Sequence, residues 1–281
     1  MRERSVLTDA MRSPFPWIEF YRLVEQAPLP TRADRSTCGH LPLRAQRYCE
    51  SVTGASGLGY YLYSPLKIAI ILKKGLLYYT YAGLENWYCL DAIQYPHFSA
   101  KFDASAPDNL KGYAPPFLTA LPENGHFQMW TGLIAKTAPN FSILVRPVVN
   151  MPPPIGYYTY EGIVESDRWF GPLFLNFRIT RENKPILFDL ETPVAQLQIL
   201  HRDSYAGHTR DESRIYTDIS DISLSEWNEY LKNIVTPNLD RNRKAGNYAI
   251  SVRRRRRRDT STDLTVAADF DRANCPYAFD G

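Results

Sequence analysis

The sequence contains few cysteines and lacks a long apolar run. Its four cysteines, Cys38, Cys49, Cys89 and Cys275, include no Cys-x-x-Cys pair, which excludes a zinc ribbon and a dithiol redox motif. The most apolar run, residues 68–72, is too short to span a bilayer, and the N-terminus has no apolar stretch of the length that a signal peptide needs. We therefore predict a soluble cytoplasmic protein with reduced thiols and no membrane partner.

Excess charge of one sign is confined to a single segment. Six of the 33 basic residues form the run Arg253–Arg258, so the other 27 stand against 30 acidic residues. A mildly acidic remainder argues against sequence-specific nucleic-acid binding, while an isolated arginine run attracts polyanions without discrimination. We expect residues 238–281 to form a disordered, Arg-rich tail, whose run is a candidate site for an acidic partner.

Helical periodicity is also scarce, because short apolar and aromatic runs separated by Pro and Gly fill residues 15–220. A hydrophobic content of 44% is ample for a core, and many short strands with turn signals are typical of sandwiches and barrels. We predict a mainly β fold, a jelly-roll or cupin-like double-sheet sandwich with one or two peripheral helices. The alternative is a plain β-sandwich without a cavity. The predicted organisation is a flexible N-terminus at 1–13, one β-rich domain at 14–237, and the tail.

The clearest helical pattern covers residues 223–235. Ser223 and Glu226 have the spacing of a capping box. Apolar residues recur on one face at Leu224, Trp227, Leu231 and Ile234. We predict a helix whose apolar face packs on the sandwich.

Polar residues interrupt two strand patterns in the stretch "YEGIVESDRWFGPLFLNFRIT", residues 160–180. Glu165 and Asp167 share a face if the chain is extended, and paired carboxylates can act as acid and base when burial raises one pKa. With Arg168 beside them, the alternative is the salt-bridged rim of a bent strand junction. We predict Glu165, Asp167 and Arg168 as catalytic residues.

Polar and aromatic side chains alternate with apolar ones along two later strand patterns. Such mixed faces are exposed to solvent or line a ligand pocket, and we adopt the pocket as the hypothesis. The predicted substrate-binding residues on and near these strands are Trp130, Trp169, Asn176, Arg178, Gln196 and Gln198. Arg44 and Arg47, three positions apart, complete the set because two guanidinium groups can clamp a carboxylate or phosphate.

A His-x-Asp spacing at His201 and Asp203 resembles part of the facial triad of iron and 2-oxoglutarate dioxygenases. In those enzymes the second histidine comes from a distant strand, whereas His208 is only five residues beyond Asp203. The alternative is a polar surface loop. We predict that His201, Asp203 and His208 bind Fe(II).

Three segments resemble an uncharacterised bacterial and phage family known only as a domain of unknown function: "ADRSTCGHLPLRAQRYCESVTGASG", "PPFLTALPENGHFQMWTGLIAKTAPNFSILVRP" and "YEGIVESDRWFGPLFLNFRITRENKP". The resemblance covers about residues 14–205 and excludes the Arg-rich tail. It implies a single-domain protein without an established activity, and it transfers no catalytic residues.

Two functional hypotheses follow from these patterns. The first is a pocketed β-sandwich enzyme, an iron-dependent oxygenase or hydroxylase that modifies a small molecule or a peptide side chain. The alternative is a non-catalytic ligand-binding or accessory protein whose basic tail contacts an acidic partner. Bound metal is the observation that separates them.

Overall fold

The computed structural model describes residues 16–207, 213–240, 242, 246, 248–255 and 258, so the predicted flexible segment 1–13 lies outside the described residues. Contacts within the chain divide it into two compact units. The sheet unit comprises Phe15–Leu41 and Gly54–Thr209. The helical unit comprises Met1–Pro14, Pro42–Thr53 and Arg210–Gly281.

The sheet unit contains the described strands. They are β1 (Ile18–Arg22), β2 (Thr31–Arg32), β3 (Tyr60–Leu62), β4 (Ile68–Lys73), β5 (Leu76–Tyr81), β6 (Tyr88–Cys89), β7 (Ala92–Ile93), β8 (Leu118–Ala120), β9 (His126–Thr137), β10 (Phe141–Arg146), β11 (Tyr157–Thr159), β12 (Gly162–Val164), β13 (Pro172–Ile179), β14 (Ile186–Phe188) and β15 (Ala195–His201). Aromatic and β-branched residues fill many of them, as their β propensity favours.

These strands form three antiparallel sheets rather than the two that the sequence predicts. The first has the order β11-β13-β9-β8-β7, with β1 also paired to β9. The second has the order β12-β10-β15-β3-β2, and the third has the order β14-β4-β5-β6. The prediction of a mainly β fold is confirmed, and the sheets are consistent with a β-sandwich. The jelly-roll connectivity stays a prediction.

The long strand β9 anchors the core of the sheet unit. Phe127 of β9 stacks on Phe177 of β13 with ring centroids 5.1 Å apart, and both side chains are fully buried. Along β13, Leu175 and Phe177 point into the core while Asn176 and Arg178 are exposed. This pattern confirms the predicted alternation of apolar side chains with polar ones along that strand.

The described helices include several that the sequence does not predict. The α-helices are α1 (Leu43–Tyr48), α2 (Glu50–Ser56), α3 (Phe98–Ser105), α4 (Leu224–Tyr230) and α5 (Thr236–Leu239). A π-helical segment, Leu231–Val235, links the last two, and 3₁₀ turns lie at Asp108–Leu110, Arg202–Ser204 and Ile219–Asp221. Within the described residues, no helix has both the length and the apolar character that crossing a bilayer requires.

The predicted helix at 223–235 is present with its capping box. The Glu226 N–H donates to Ser223 Oγ at 3.3 Å, and the Ser223 N–H donates to Glu226 Oε2 at 2.7 Å. Along its apolar face, Leu224, Trp227 and Ile234 are 78%, 41% and 45% exposed. Local capping therefore specifies the start of this helix.

Part of the predicted disordered tail is helical. Residues 248–255 form a helix, and Ala249 within it is fully buried. The sequence gives little sign of this helix, since the arginine run that it enters is a pattern typical of disorder.

Candidate functional site

Arg202 joins the two carboxylates that the sequence predicts as catalytic. Glu165 and Asp167 lie in the loop between β12 and β13, and Arg202 directly follows β15. Arg202 Nη1 lies 2.5 Å from Glu165 Oε2, while Nη2 donates to both Asp167 oxygens at 2.5 and 2.6 Å. Asp167 Oδ2 also accepts a 3.0 Å hydrogen bond from the Asn140 N–H. The arginine therefore ties together three segments of the sheet unit.

Glu165 has further neighbours in the same cluster. The Tyr205 hydroxyl donates to Glu165 Oε1 at 3.5 Å and lies 2.7 Å from Ser142 Oγ. Arg168 Nη1 is 3.7 Å from Glu165 Oε2. The structure thus brings together all three predicted catalytic residues and adds Arg202 and Tyr205. The sequence prediction missed these two because Arg202 lies within, and Tyr205 just after, the His-x-Asp spacing that suggests a metal site.

The electrostatics of this cluster favour a structural role. Desolvation opposes ionisation of Asp167, yet hydrogen bonds from Arg202 and Asn140 outweigh it and hold the pKa of Asp167 below its usual value. Hydrogen bonds to Asp167 and then Glu165 raise the pKa of Arg202. A carboxyl that acts as general acid near neutral pH needs a raised pKa, which Asp167 does not have. The contacts match the salt-bridged junction that the sequence offers as the alternative.

The predicted metal ligands His201 and Asp203 pair with each other at the end of β15. His201 Nδ1 lies 3.3 Å from Asp203 Oδ2 and accepts a 3.4 Å hydrogen bond from the Asp203 N–H. The third predicted ligand, His208, lies outside the described residues. Across the part of the chain that the structure describes, no group of three His, Cys, Asp or Glu side chains is placed to hold a metal ion. Fe(II) binding therefore stays a prediction.

Gln196, predicted to bind substrate, is buried and fully engaged in backbone contacts. Its amide oxygen accepts from the Val149 N–H at 2.9 Å, and its amide nitrogen donates to the Ser56 and Leu58 carbonyls at 3.0 and 2.7 Å. The reason is that β15 lies in the middle of the second sheet, between β10 and β3, with both faces covered. Gln196 therefore joins β15 to the segments at 56–58 and at 149 instead of lining a pocket.

Two other predicted substrate-binding residues also lie inside the sheet unit. Trp130 is fully buried and donates its indole N–H to the Leu133 carbonyl at 2.8 Å. Gln198 is also buried, on the same covered strand as Gln196. Strand alternation alone predicts a mixed face but does not reveal which neighbouring elements cover it.

Asn176 and Arg178 do lie on an open surface of the first sheet. Asn176 Oδ1 accepts a 3.1 Å hydrogen bond from Gln128, its cross-strand partner. Beside them, the Tyr160 hydroxyl lies 2.8 Å from His126 Nε2. Among the described residues, none forms an ion pair with Arg178. Both side chains are exposed on this sheet face, and their role in substrate binding stays a prediction.

The remaining predicted residues are exposed at separate positions. Trp169 is half-exposed and its ring lies against Gly171, where an added Cβ would come within 2.4 Å of Trp169 Cζ2. Arg44 and Arg47 are exposed on α1 in the helical unit. The cysteines Cys38, Cys49 and Cys89 are unpaired thiols, and Cys275 lies outside the described residues.

A cleft in the sheet unit was missed by sequence reasoning. It has a volume of about 570 Å³ and lies among residues 23–26, the turn at 81–84, and residues 95–98 at the start of α3. Leu23, Leu66 and Leu84 contribute to its apolar lining. The ring of Phe98 is fixed by edge-to-face packing on buried Trp130, at 5.0 Å. Because its lining comes from three distant segments, no local motif marks the cleft.

Polar groups are placed around this cleft at a few points. Lys101 Nζ lies 2.9 Å from Glu25 Oε2, so the two charges compensate each other. Burial raises the pKa of Tyr95, whose hydroxyl donates to the Pro65 carbonyl at 3.4 Å. His97, at the N-cap of α3, adopts a left-handed conformation with φ 60°. Non-glycine residues in this region are uncommon and concentrate at functional sites.

Comparisons with known proteins assign no family. No family model matches the chain, and no curated protein matches it, in agreement with a resemblance that carries no established activity. Matching solved structures include variants of the Staphylococcus bacteriophage 80alpha dUTPase with dUpNHpp, at 9 to 10% identity and a TM-score of 0.31. These matches cover 74% of this chain and 92% of that chain. A likeness this distant assigns neither fold nor function.

Proposed function

We propose that the protein is a non-catalytic binding protein whose cleft holds a compact, uncharged ligand with an aromatic or aliphatic body. The observation that carries the proposal is the cleft of about 570 Å³. Small-molecule sites are concave, mostly apolar and roughly 300–1,000 Å³ in volume. The cleft has that size, and leucine and aromatic side chains form much of its lining.

The charge balance around the cleft favours a neutral ligand. Its cationic and anionic side chains, Lys101 and Glu25, already contact each other. A charged ligand would have to separate this pair or enter the apolar part without a partner, and burying an unpaired charge is costly. Gln26 and His97 supply further hydrogen-bonding groups.

The framework of the cleft also suits binding. Phe98 packs on Trp130, and the Tyr95 ring meets buried Phe117 edge to face at 5.6 Å. Side chains anchored to a core lose little conformational freedom when a ligand arrives, which favours affinity. A pre-formed cleft with an anchored apolar lining is typical of a binding site.

The enzyme hypothesis has less support. Glu165 and Asp167, the predicted catalytic carboxylates, are held by Arg202, and the iron site rests on His201 and Asp203 with a third residue outside the described part of the chain. An oxygenase requires a bound iron, so its decisive test is metal content rather than cleft geometry.

Titration with N-phenyl-1-naphthylamine, a neutral dye whose emission rises in apolar surroundings, tests the cleft. Leu84→Arg places a charge in the lining, and we expect it to weaken dye binding at least tenfold. Leu187→Arg is the matched control, since Leu187 is exposed on β14 and should leave binding unchanged. Equal dye affinity in the native protein and Leu84→Arg, with both folded by circular dichroism, would reject the cleft as the site.

A further inference from the structure

We propose that α1 and the 248–255 helix form one basic surface that binds single-stranded nucleic acid through its backbone, without reading its sequence. The sequence presents Arg44 and Arg47 as an anion clamp and Arg253–Arg258 as a separate run in a tail. In the helical unit the structure brings the two together.

Close backbone packing holds this juxtaposition. Gly246 has φ 89°, and a Cβ at this position would come within 2.7 Å of Tyr48 Cδ1, so the chain passes directly over the last residue of α1. Three residues on, Ala249 is fully buried. The 248–255 helix is therefore a packed element of the helical unit, and its position next to α1 does not depend on the arginine charges alone.

The first arginine of the run anchors the helix to its neighbours. Arg253 Nε lies 3.2 Å from the carboxylate of Glu50, whose side chain is 4% exposed. Arg253 Nη2 donates to the Arg47 carbonyl at 3.5 Å. A buried carboxylate requires a partner, so this contact anchors the 248–255 helix beside α1.

Four other arginines on these two helices remain exposed. Arg44, Arg47, Arg254 and Arg255 have no ion-pair partner among the described residues and lie on exposed parts of the helical unit. Like charges on neighbouring helices repel, and a ligand with repeated negative charges relieves that repulsion with release of its own counterions. Guanidinium groups are also well matched to phosphate, since they can donate two parallel hydrogen bonds.

Exposed tyrosines among these arginines favour single strands over other polyanions. Tyr48 on α1 and Tyr248 on the second helix are 41% and 58% exposed. Unpaired bases stack on aromatic rings while the backbone follows basic side chains, and this combination is sequence-tolerant. An acidic peptide would use the charges but would gain nothing comparable from the rings.

The test is fluorescence anisotropy of the full chain with a labelled 20-nucleotide oligo-dT over a series of KCl concentrations. Each neutralised phosphate contributes about 0.7 to the slope of log K against log salt for a single strand. We expect the double variants R44Q/R47Q and R254Q/R255Q each to lower the slope by about 1.4. R178Q, a change of an exposed arginine on the first sheet, is the matched control and should leave the slope unchanged.

Three results would overturn the proposal. One is loss of binding in R254Q/R255Q with R44Q/R47Q unchanged, which would mean that the arginine run binds alone. A second is equal loss in R178Q, which would indicate diffuse charge attraction. The third is binding to phosphatidylserine vesicles at the same salt without binding to oligo-dT, which would assign the surface to an anionic membrane.

Discussion

Arg202 holds Asp167 by two hydrogen bonds of 2.5 and 2.6 Å from a single guanidinium nitrogen. The two residues are 35 positions apart, and their contact fastens the β12–β13 loop to the end of β15. A loop that looks like an acid and base pair in sequence is thereby a charge-compensated junction in the folded protein. The contribution of this ion pair to stability can be tested through the pH dependence of unfolding.

The stability of the protein is expected to fall in acid partly through Asp167. Its pKa is lowered in the folded state, so its contribution is fully present above the unfolded pKa of about 3.9 and is lost as pH falls through the folded value. Urea unfolding between about pH 5 and pH 3 should show a shallower loss of free energy in Asp167→Asn than in the native protein. Parallel curves for the two proteins would contradict the assigned ion pair.

Gln196 is expected to matter for stability rather than for binding. Gln196→Leu leaves a backbone N–H and two carbonyls without their partner, and each unsatisfied buried group costs about 1–3 kcal/mol. The control, Asn176→Leu on the open sheet face, should change the unfolding free energy by about 0.5 kcal/mol or less. Chemical denaturation measures both. A stable Gln196→Leu protein with weakened binding of the naphthylamine dye would restore Gln196 as a ligand-binding residue.

Gly59 and Gly83 form a matched pair that tests the effect of a neighbouring backbone lying close to a glycine. Both have positive φ, 91° and 97°, so alanine at either position pays a conformational penalty of about 1 kcal/mol or more. At Gly59 an added Cβ would also lie 1.9 Å from the Leu197 carbonyl oxygen, whereas nothing lies within 4 Å at Gly83. Gly59→Ala should therefore lower the melting temperature much more than Gly83→Ala. Similar losses of melting temperature in the two variants would mean that the positive φ alone, and not the close approach of Leu197, accounts for the requirement for glycine at position 59.

Iron content separates the binding protein from an oxygenase. A non-catalytic binding protein should contain far less than one iron per chain after anaerobic reconstitution, measured by mass spectrometry of the metal. About one iron per chain in the native protein, lost in both His201→Ala and Asp203→Ala, would favour the oxygenase instead. Arg44→Ala serves as the control because Arg44 is not among the predicted metal ligands.

A chain ending at residue 240 is expected to retain the sheet core, since the buried core cluster lies entirely between Val24 and Leu197. It should lose protection around α1, because the 248–255 helix and its contact between Arg253 and Glu50 are removed. Hydrogen exchange should accelerate in peptides that cover residues 42–50 and stay slow in β9. A chain ending at residue 260 is the control. Unchanged exchange at 42–50 after the shorter truncation would contradict packing between the helices.

Local chemistry made several features predictable from sequence. The capping box of Ser223 and Glu226 depends on residues three apart, and the alternation of Leu175 and Phe177 with Asn176 depends on the two-residue period of a strand. Both appear in the structure as expected. The mainly β character follows from the same kind of short-range pattern, repeated along the chain.

The candidate sites required contacts that no local pattern contains. The cleft joins residues near 25, 83 and 97, and the Asp167 carboxylate meets Arg202 across 35 positions. Whether Gln196 faces water or the core depends on which elements pack over β15, and that packing is set by the tertiary structure. Sequence alone could name the charged and aromatic side chains but could not say which of them were neighbours.

The strand-rich character, the alternation along β13 and the start of α4 follow from residues that lie close along the chain. The contacts of Glu165 and Asp167 with Arg202, the burial of Trp130 and Gln196, and the packing of Arg253 against Glu50 follow from the folded arrangement of distant segments. Burial and ion pairing depend on distances through space, and these distances are fixed only when distant segments pack together.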